Sequence, residues 1–159
     1  MQKGLSEKSH LLVFHHVGGI VKDADKTAEQ CEAAGMGSFE PLMIKPEEEI
    51  IDGKVVEDLR LKIRMGHIGS VKVELIEPVA GKSSIWKDVL DRKGEGIHHL
   101  AFEVDDIEEA KAEMIAKGLR LIFFARFNKT GAAAYFETQE IGGLVLELFQ
   151  PPVDPEPHD

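Results

Sequence analysis

The stretch FHHVGGIVKDADKTAEQCEAAGM, at residues 14–36, has a counterpart later in the chain, IHHLAFEVDDIEEAKAEMIAKGL at residues 97–119. Each stretch contains a His-His pair, a short run of strand-forming residues, an aspartate and a helix-like segment that ends at a glycine. In both, the aspartate lies 7 positions and the glycine 19 positions after the second histidine of the pair. The His-His pair, the aspartate and the glycine recur at the same spacing, which predicts two copies of one strand–helix unit and therefore an internal duplication.

Strand-like segments bounded by glycine turns follow each predicted helix, at 59–65 and 71–76 in the first half and at 120–124, 132–136 and 144–148 in the second. We therefore predict an α+β fold in which two βαβββ repeats form cupped mixed sheets within a single domain, residues 1–159. The predicted parts are repeat one at about 11–80, a linker helix at about 81–93, repeat two at about 94–150 and a frayed tail at 151–159.

The composition excludes several classes of partner. The 159-residue chain has 19 Lys and Arg against 29 Asp and Glu, and its formal charge of −10 repels nucleic-acid phosphates. No apolar run approaches the ~18 residues that span a bilayer, so we expect neither a membrane nor a nucleic-acid partner. The single cysteine, Cys31, permits no internal disulfide, which is typical of a protein in the reducing cytoplasm.

Four ionisable side chains occupy equivalent positions in the two predicted repeats. His16 and His99 are the second histidines of the two pairs, and Glu74 and Glu147 interrupt the otherwise apolar last strand of each half. An ionised carboxylate among strand-core residues is costly unless it meets a cation or a metal. Taken singly, such a histidine is usually a hydrogen-bonded core residue and such a glutamate usually reaches solvent, but four equivalent positions favour one shared metal site.

Two imidazoles and two carboxylates suit a divalent metal ion such as Co, Ni, Mn, Zn or Fe. Four protein ligands would leave two positions open in an octahedron, enough for a bidentate oxygen ligand. We therefore predict the metal ligands to be His16, Glu74, His99 and Glu147. We expect the first histidines of the pairs, His15 and His98, to be structural partners of these ligands, and the Glu-Glu-Glu run at 47–49 to be a solvated loop.

These residues and their surroundings resemble the vicinal oxygen chelate superfamily, which includes glyoxalase I, extradiol dioxygenases and antibiotic-resistance proteins. Within the superfamily, the chain is most similar to methylmalonyl-CoA epimerases. The similarity covers about residues 12–152 and includes a Trp-bearing linker at 83–99. It rests on FHHVGGIVKDADK at 14–26, VELIEP at 73–78, GEGIHHLAFEVDDI at 94–107 and GGLVLELFQ at 142–150.

The resemblance implies a metal-dependent epimerase, active as a homodimer, that interconverts the two epimers of methylmalonyl-CoA or of a similar acyl-CoA. The α-proton would be moved through a metal-stabilised enolate, with Glu147 taking part in proton transfer besides binding the metal. Epimerases of this family use a further carboxylate on the strand after the first helix, but the strand at 59–65 contains no acid. Counting back from Glu74 without a gap makes Glu57 the candidate. The stretch YFETQ at 135–139 also replaces one that is usual in the epimerases.

Three other functions are compatible with the same pattern. A glyoxalase I-type lactoylglutathione lyase would use the same four ligands, whereas an extradiol dioxygenase would hold Fe(II) with two histidines and one glutamate. A resistance or binding protein of this fold would need no metal. An acyl-CoA substrate requires cations for its phosphates, and the sequence offers seven: Arg60, Lys62, Arg64, Lys82, Lys87, Arg126 and Lys129.

Overall fold

The computed structural model describes residues 12–57, 59–80, 85–138 and 142–153, which form ten strands and three helices. In chain order they are β1 (Val13–Ile20), α1 (Ala24–Ala33), β2 (Phe39–Pro41), β3 (Pro46–Ile51), β4 (Lys54–Val55), β5 (Arg60–Ile68), β6 (Val71–Ala80), α2 (Ile85–Lys93), β7 (Gly96–Glu103), α3 (Ile107–Ala116), β8 (Arg120–Phe127), β9 (Gly131–Glu137) and β10 (Val145–Gln150). The start of the predicted linker helix, 81–84, and residues 154–159 of the predicted tail lie outside the described residues. Within the described ranges, the helices are too short and too polar to cross a bilayer.

The two repeat helices begin where the sequence predicts, each behind an aspartate cap. The Asp23 carboxylate accepts a hydrogen bond from the Lys26 amide at 2.9 Å, and the Asp106 carboxylate accepts from two amides in the first turn of α3 at 2.9 and 3.0 Å. Each helix ends close before a glycine with positive φ, Gly35 or Gly118. Helix α1 packs on β5 and β6 and α3 packs on β9 and β10, so each helix covers strands of its own repeat.

All ten strands join in one curved mixed sheet, in the order β2-β5-β6-β1-β7-β10-β9-β8-β3-β4. Apart from β3 and β4, each repeat contributes four strands to this sheet. From the outside of each repeat inward, these are its second, third, fourth and first strands in chain order, β2-β5-β6-β1 and β8-β9-β10-β7. The first strand of each repeat pairs parallel with the last strand of that repeat, and β1 pairs antiparallel with β7 where the repeats meet. The matching order confirms the predicted duplication.

The β3–β4 hairpin is the main departure from the predicted pattern. The sequence predicts no strand between α1 and residue 59, whereas the structure has β2, β3 and β4 there. Strand β3 leaves its own repeat and pairs antiparallel with β8 of the other, with Ile50 opposite Phe124. The prediction of a solvated loop at 47–49 is therefore wrong. Consecutive glutamates have low strand propensity, but backbone pairing with the otherwise open edge of β8 overrides it.

Two β-bulges lie where β1 and β7 pair at the centre of the sheet. The register shifts twice along this pair, and each shift leaves the first histidine of a His-His pair as an extra residue: His15 on β1 and His98 on β7. A bulge interrupts the alternation of side chains and re-aims its residues. The two His-His pairs are therefore presented in the same way by the two repeats.

The ring of His99 fills the space beside Gly18, across the β1–β7 pair. A Cβ atom on Gly18 would lie 1.9 Å from His99 Cε1 and 2.1 Å from its Nε2. A Cβ atom on Gly19 would come no closer than 3.6 Å to any other atom, the carbonyl oxygen of Gly96. The missing side chain at Gly18 therefore makes room for an imidazole at the centre of the sheet.

We expect Gly18→Ala to lower the free energy of unfolding by about 1–3 kcal/mol, because the added methyl group displaces a buried ring. Gly19→Ala, on the same strand but without such an overlap, is the matched control and should unfold at the native denaturant concentration or slightly above it. Urea denaturation of both variants measures the difference. Equal stabilities would mean that the His99 ring can move at no cost, contrary to this account.

Candidate metal and active site

The four residues predicted as metal ligands come together at the centre of the sheet. Four adjacent strands, β6, β1, β7 and β10, contribute Glu74, His16, His99 and Glu147 respectively. Their exposed fractions are only 6%, 2%, 0% and 4%. One ligand atom from each residue lies within 4.8 Å of the other three. The strand order thus gathers equivalent residues of the two repeats around one buried point.

The ligand atoms of the four residues converge closely. His16 Nε2 lies 3.1 Å from Glu74 Oε2 and 3.2 Å from Glu147 Oε2, and His99 Nε2 lies 3.3 and 3.0 Å from the same two oxygens. The two Nε2 atoms are 3.3 Å apart.

A buried carboxylate oxygen at this point lacks the usual partner. Glu147 Oε2 is fully buried and receives no well-oriented hydrogen bond within the described part of the chain, although both imidazoles are close to it. Buried polar atoms normally have a hydrogen-bond partner, so an orphaned oxygen between two imidazole nitrogens fits a bound cation. Two nitrogen and two oxygen donors are also a suitable set for a divalent transition metal.

The first histidine of each pair contacts the second through their Nδ1 atoms. These atoms are 2.7 Å apart in His15 and His16, and 3.0 Å apart in His98 and His99. In each contact one ring must donate and the other accept. If His16 and His99 donate from Nδ1, their Nε2 lone pairs face the shared point, which is the tautomer that a metal ligand needs.

The surroundings keep the first histidines neutral and able to accept these hydrogen bonds. Burial, assisted by the neighbouring His99, lowers the pKa of His98 to about 3. Burial and the nearby Lys72 also lower the pKa of His15. Both residues thus lie where the sequence expects structural partners of the ligands.

Charges within the cluster balance one another in the metal-free protein. Burial disfavours imidazolium, but the carboxylates of Glu147 and Glu74 outweigh it and raise the pKa of His16 to about 10 and that of His99 to about 9. Burial likewise opposes ionised carboxylates, but the close approach of the two histidines lowers the pKa of Glu147 to about 2 and also lowers that of Glu74. At neutral pH, two imidazolium groups therefore face two carboxylates.

A cavity of about 500 Å³ opens onto this cluster. His16, Glu74 and Glu147 lie at one part of its wall, and most of the rest is apolar, including Met65 and Phe149. Such a wall excludes water and lowers the local dielectric constant, which strengthens every electrostatic interaction inside the cavity. The cavity can therefore hold a largely apolar ligand with its polar end at the cluster.

A third carboxylate in this cavity was missed by the sequence analysis. Glu49, on β3, lines the cavity, and its Oε2 atom is buried without a hydrogen-bond partner among the described residues. Burial raises the pKa of Glu49. The available signal was weak: the residue is the last of three glutamates, and only the pairing of β3 with β8 brings it here.

Glu57, the other acid or base candidate named from the sequence, is not brought to the cluster. Its side chain is exposed ahead of β5, and the residue does not line the cavity. The count back from Glu74 assumed that the required acid lies on the strand next to β6. In the structure the third acid in the cavity comes instead from β3, which lies earlier in the chain and pairs with the other repeat.

Residues 15–136 match the glyoxalase/bleomycin resistance protein/dioxygenase superfamily. The matched segment begins in the first His-His pair and extends into β9. The chain belongs to this superfamily, and the family predicted from the sequence is confirmed.

The chain is also similar to individual proteins. The chain is 32% identical to the uncharacterised protein YqjC of Bacillus subtilis over 105 residues, which are 64% of this chain and 73% of that protein. It is 38% identical to the mitochondrial methylmalonyl-CoA epimerase of Dictyostelium discoideum over 83 residues, and 30% identical to that of Bos taurus over 88 residues. The matches cover 50% and 53% of this chain but only 49% of either epimerase.

Solved structures share the fold. Methylmalonyl-CoA epimerase from Mycobacterium tuberculosis superposes with a TM-score of 0.66 and 22% identity over 95% of both chains. A variant of the Streptomyces coelicolor epimerase, in complex with 2-nitronate-propionyl-CoA, gives the same TM-score and identity over 90% of this chain and 100% of that one. These comparisons do not favour the lyase, dioxygenase or metal-free alternatives.

Metal ions and protons should compete at the cluster. At neutral pH, His16 and His99 carry protons that must leave before Nε2 can bind an ion, because their pKa values are about 10 and 9. We expect metal affinity to rise with pH below about pH 9, by up to about 100-fold per pH unit if both protons are displaced. Calorimetry in buffers of different ionisation enthalpy measures the affinity and the protons released.

In that experiment, His99→Gln should lose metal binding, whereas His67→Gln, which changes an exposed histidine on β5, should bind like the native chain. An affinity independent of pH, or equal losses in the two variants, would contradict the assignment of the cluster.

The free energy of unfolding should fall as pH rises in the metal-free protein and should rise with pH in the metal-bound protein. In the metal-free protein, His16 and His99 have raised pKa values, so their stabilising effect is complete below about 6.5 and is lost as pH rises through 9 and 10. The effect of Glu147 is complete above about 4.5 and is lost as pH falls through about 2.

The metal-free protein should therefore be less stable at about pH 10 than at about pH 6. With saturating metal, folded His16 and His99 bind no protons, so stability should instead rise as pH increases through about 6.5. Urea denaturation across pH, with the ion or with a chelator, tests this. The same trend in both samples would contradict it.

Proposed function

We propose that this protein is a divalent-metal-dependent epimerase that interconverts the two epimers of methylmalonyl-CoA or of a similar 2-substituted acyl-CoA. The observation that supports it most is that the four buried ligand residues converge on one point beside an apolar cavity, whose wall also contains Glu49, a carboxylate outside the ligand set with a buried Oε2 atom. The pKa of Glu147 is lowered and that of Glu49 is raised. The similarity to methylmalonyl-CoA epimerases supports the same reaction.

The proposed metal ligands are His16, Glu74, His99 and Glu147, and the ion is one of Co, Ni, Mn, Zn or Fe. When bound, a divalent ion supplies Lewis-acid stabilisation of the negative charge that develops on the thioester oxygen. Without such stabilisation, the hydrogen on the α-carbon of a malonyl thioester is too weakly acidic to leave at neutral pH. The Nδ1 contacts of His15 and His98 hold the ligand imidazoles in the orientation that this role requires.

Proton transfer is the role proposed for Glu49 and Glu147. One carboxylate takes the proton from the α-carbon, and the electron pair of the broken C–H bond moves into the thioester group to give an enolate. The carboxyl group on the opposite face returns a proton to the same carbon, so the configuration inverts without net consumption of protons. A raised pKa makes Glu49 a proton carrier better matched to neutral pH, whereas Glu147, with its lowered pKa, is ionised before the reaction and can accept the first proton.

The apolar wall of the cavity contributes by keeping water from the reacting carbon. Residues such as Ile63, Phe123 and Phe127 line it. A water molecule at the enolate could supply a proton to either face and compete with the two carboxyl groups. Excluding bulk water leaves protonation to the positioned side chains.

We also propose that the enzyme acts in the cytoplasm as a homodimer. The free cysteine, Cys31, supports a reducing compartment. The homodimer follows from the resemblance to the superfamily. Light scattering coupled to size-exclusion chromatography tests the assembly state.

Replacing either proton-transferring group should abolish epimerisation. We expect Glu49→Gln and Glu147→Gln each to lower the rate by at least about 100-fold, because glutamine cannot exchange a proton with the α-carbon. Glu49→Gln should keep its metal, whereas Glu147→Gln should also bind metal more weakly. Epimerisation of methylmalonyl-CoA, deuterium incorporation at the α-carbon in D₂O and metal content measure the three effects.

Two neighbouring glutamates provide the controls. Glu48→Gln changes an exposed residue of the same run and should retain native activity, and Glu57→Gln tests the candidate named from the sequence. Because exchange needs only the group on one face, residual exchange in Glu49→Gln should be confined to one epimer. A slow Glu57→Gln beside a fast Glu49→Gln would reverse the assignment, and no chelator-sensitive exchange by the native chain would overturn the proposed function.

A further inference from the structure

One arginine lies at the wall of the cavity, at the start of β5. Arg60 is the first residue of that strand, is exposed, and lines the cavity next to Leu61. Lys62 and Arg64, further along β5, lie on the face that meets α1, where both form ion pairs with Asp25.

A β-bulge in the neighbouring strand lies beside Arg60. Arg60 pairs with Ala80, but Leu61 pairs with Pro78, so Val79 is an extra residue on β6. Bulges are frequent next to functional sites. The register shift falls between Arg60 and the rest of β5, which includes Lys62 and Arg64.

The position of Arg60 is electrostatically unusual for this acidic chain. Among the described residues it is the single lysine or arginine that lines the cavity, and its exposed side chain has no ion pair or side-chain hydrogen bond there. Most of the other cations that the sequence offered for phosphate binding have carboxylate partners instead: Lys62, Arg64, Lys87 and Arg126. An unpaired guanidinium at an apolar cavity is suited to an anionic group of the ligand.

The strand geometry puts this group far from the reacting carbon. Met65 pairs with Glu74 of the buried cluster, and Arg60 lies five residues earlier on β5. At ~3.3 Å per residue, these positions are about 16 Å apart along the strand, and an arginine side chain covers only part of that distance. A carboxylate on the α-carbon beside the cluster is therefore too near to be the partner of Arg60.

We propose that Arg60 binds an anionic oxygen group, a phosphate or a carboxylate, at the far end of an elongated substrate. Between the cluster and Arg60 the wall is apolar, with Leu61 and Ile63 on β5, and it fits an uncharged middle section. In an acyl-CoA, the pantetheine arm is that section and the phosphates of CoA are the anionic end. The identification of the anionic group as a phosphate rests on the proposed function.

The test measures binding and not turnover. It uses the full chain and three ligands: CoA, pantetheine, which lacks the nucleotide phosphates, and S-methylglutathione, whose anionic groups are carboxylates. Arg60→Gln should weaken CoA binding by about tenfold or more, since a charge-assisted contact is lost. It should leave the weaker pantetheine binding unchanged within about twofold. Arg60→Lys, which keeps the charge, should fall between. Lys62→Gln is the control from the same strand and should bind CoA like the native chain. NMR titration or calorimetry gives the dissociation constants.

The outcomes separate this inference from the proposed function. It is overturned if Arg60→Gln binds both CoA and S-methylglutathione normally, if CoA and pantetheine binding fall equally, or if the native chain binds neither CoA nor S-methylglutathione. If only S-methylglutathione depends on Arg60, the anionic group is a carboxylate, and the acyl-CoA proposal fails while the role of Arg60 stands. Arg60-dependent CoA binding without any epimerisation would likewise support the anion site and reject the proposed reaction.

Discussion

Each of the two carboxylates at the centre of the sheet lies 3.0–3.3 Å from both imidazole nitrogens, and the fold depends on this mutual neutralisation. An isolated buried charge costs several kcal/mol, and removing one partner of a buried ion pair typically costs about 3–5 kcal/mol. All four groups must therefore arrive together. The order β6-β1-β7-β10 achieves this, because it places the last and first strands of one repeat beside the first and last strands of the other.

Those four residues could be predicted because they follow from local rules and from the duplication. His16 and His99 stand at equivalent points in two recognisable copies, and Glu74 and Glu147 are conspicuous in apolar strands. The helix caps at Asp23 and Asp106 follow from short-range chemistry in the same way. Because the two copies are equivalent, the sequence predicts that His16 and His99 lie together, although they are 83 positions apart in the chain.

Glu49 could not be predicted, and Arg60 could not be singled out from the seven candidate cations, because their positions depend on pairings between distant strands. Glu49 enters the cavity since β3 pairs with β8 of the other repeat, and local propensity at 47–49 argues against any strand. Arg60 lies at the cavity wall beside a bulge that is created by Val79, an extra residue on a different strand. A sequence pattern reports alternation within one strand, whereas a bulge or a crossing hairpin depends on which strand lies alongside.

Elements outside the duplicated pattern break the symmetry of the site. Each repeat supplies one histidine and one glutamate, so the cluster alone presents two nearly equivalent sides to a ligand. A substrate with a reacting carbon at one end and a long arm at the other has no such symmetry. The β3–β4 hairpin, the linker helix α2 and the bulge at Val79 have no counterparts in the described part of the other repeat. Glu49, Trp86 and Arg60, which lie on or beside these elements, line the cavity. Duplication therefore builds the buried histidine–glutamate cluster, and departures from duplication make the cavity asymmetric, as an asymmetric substrate requires.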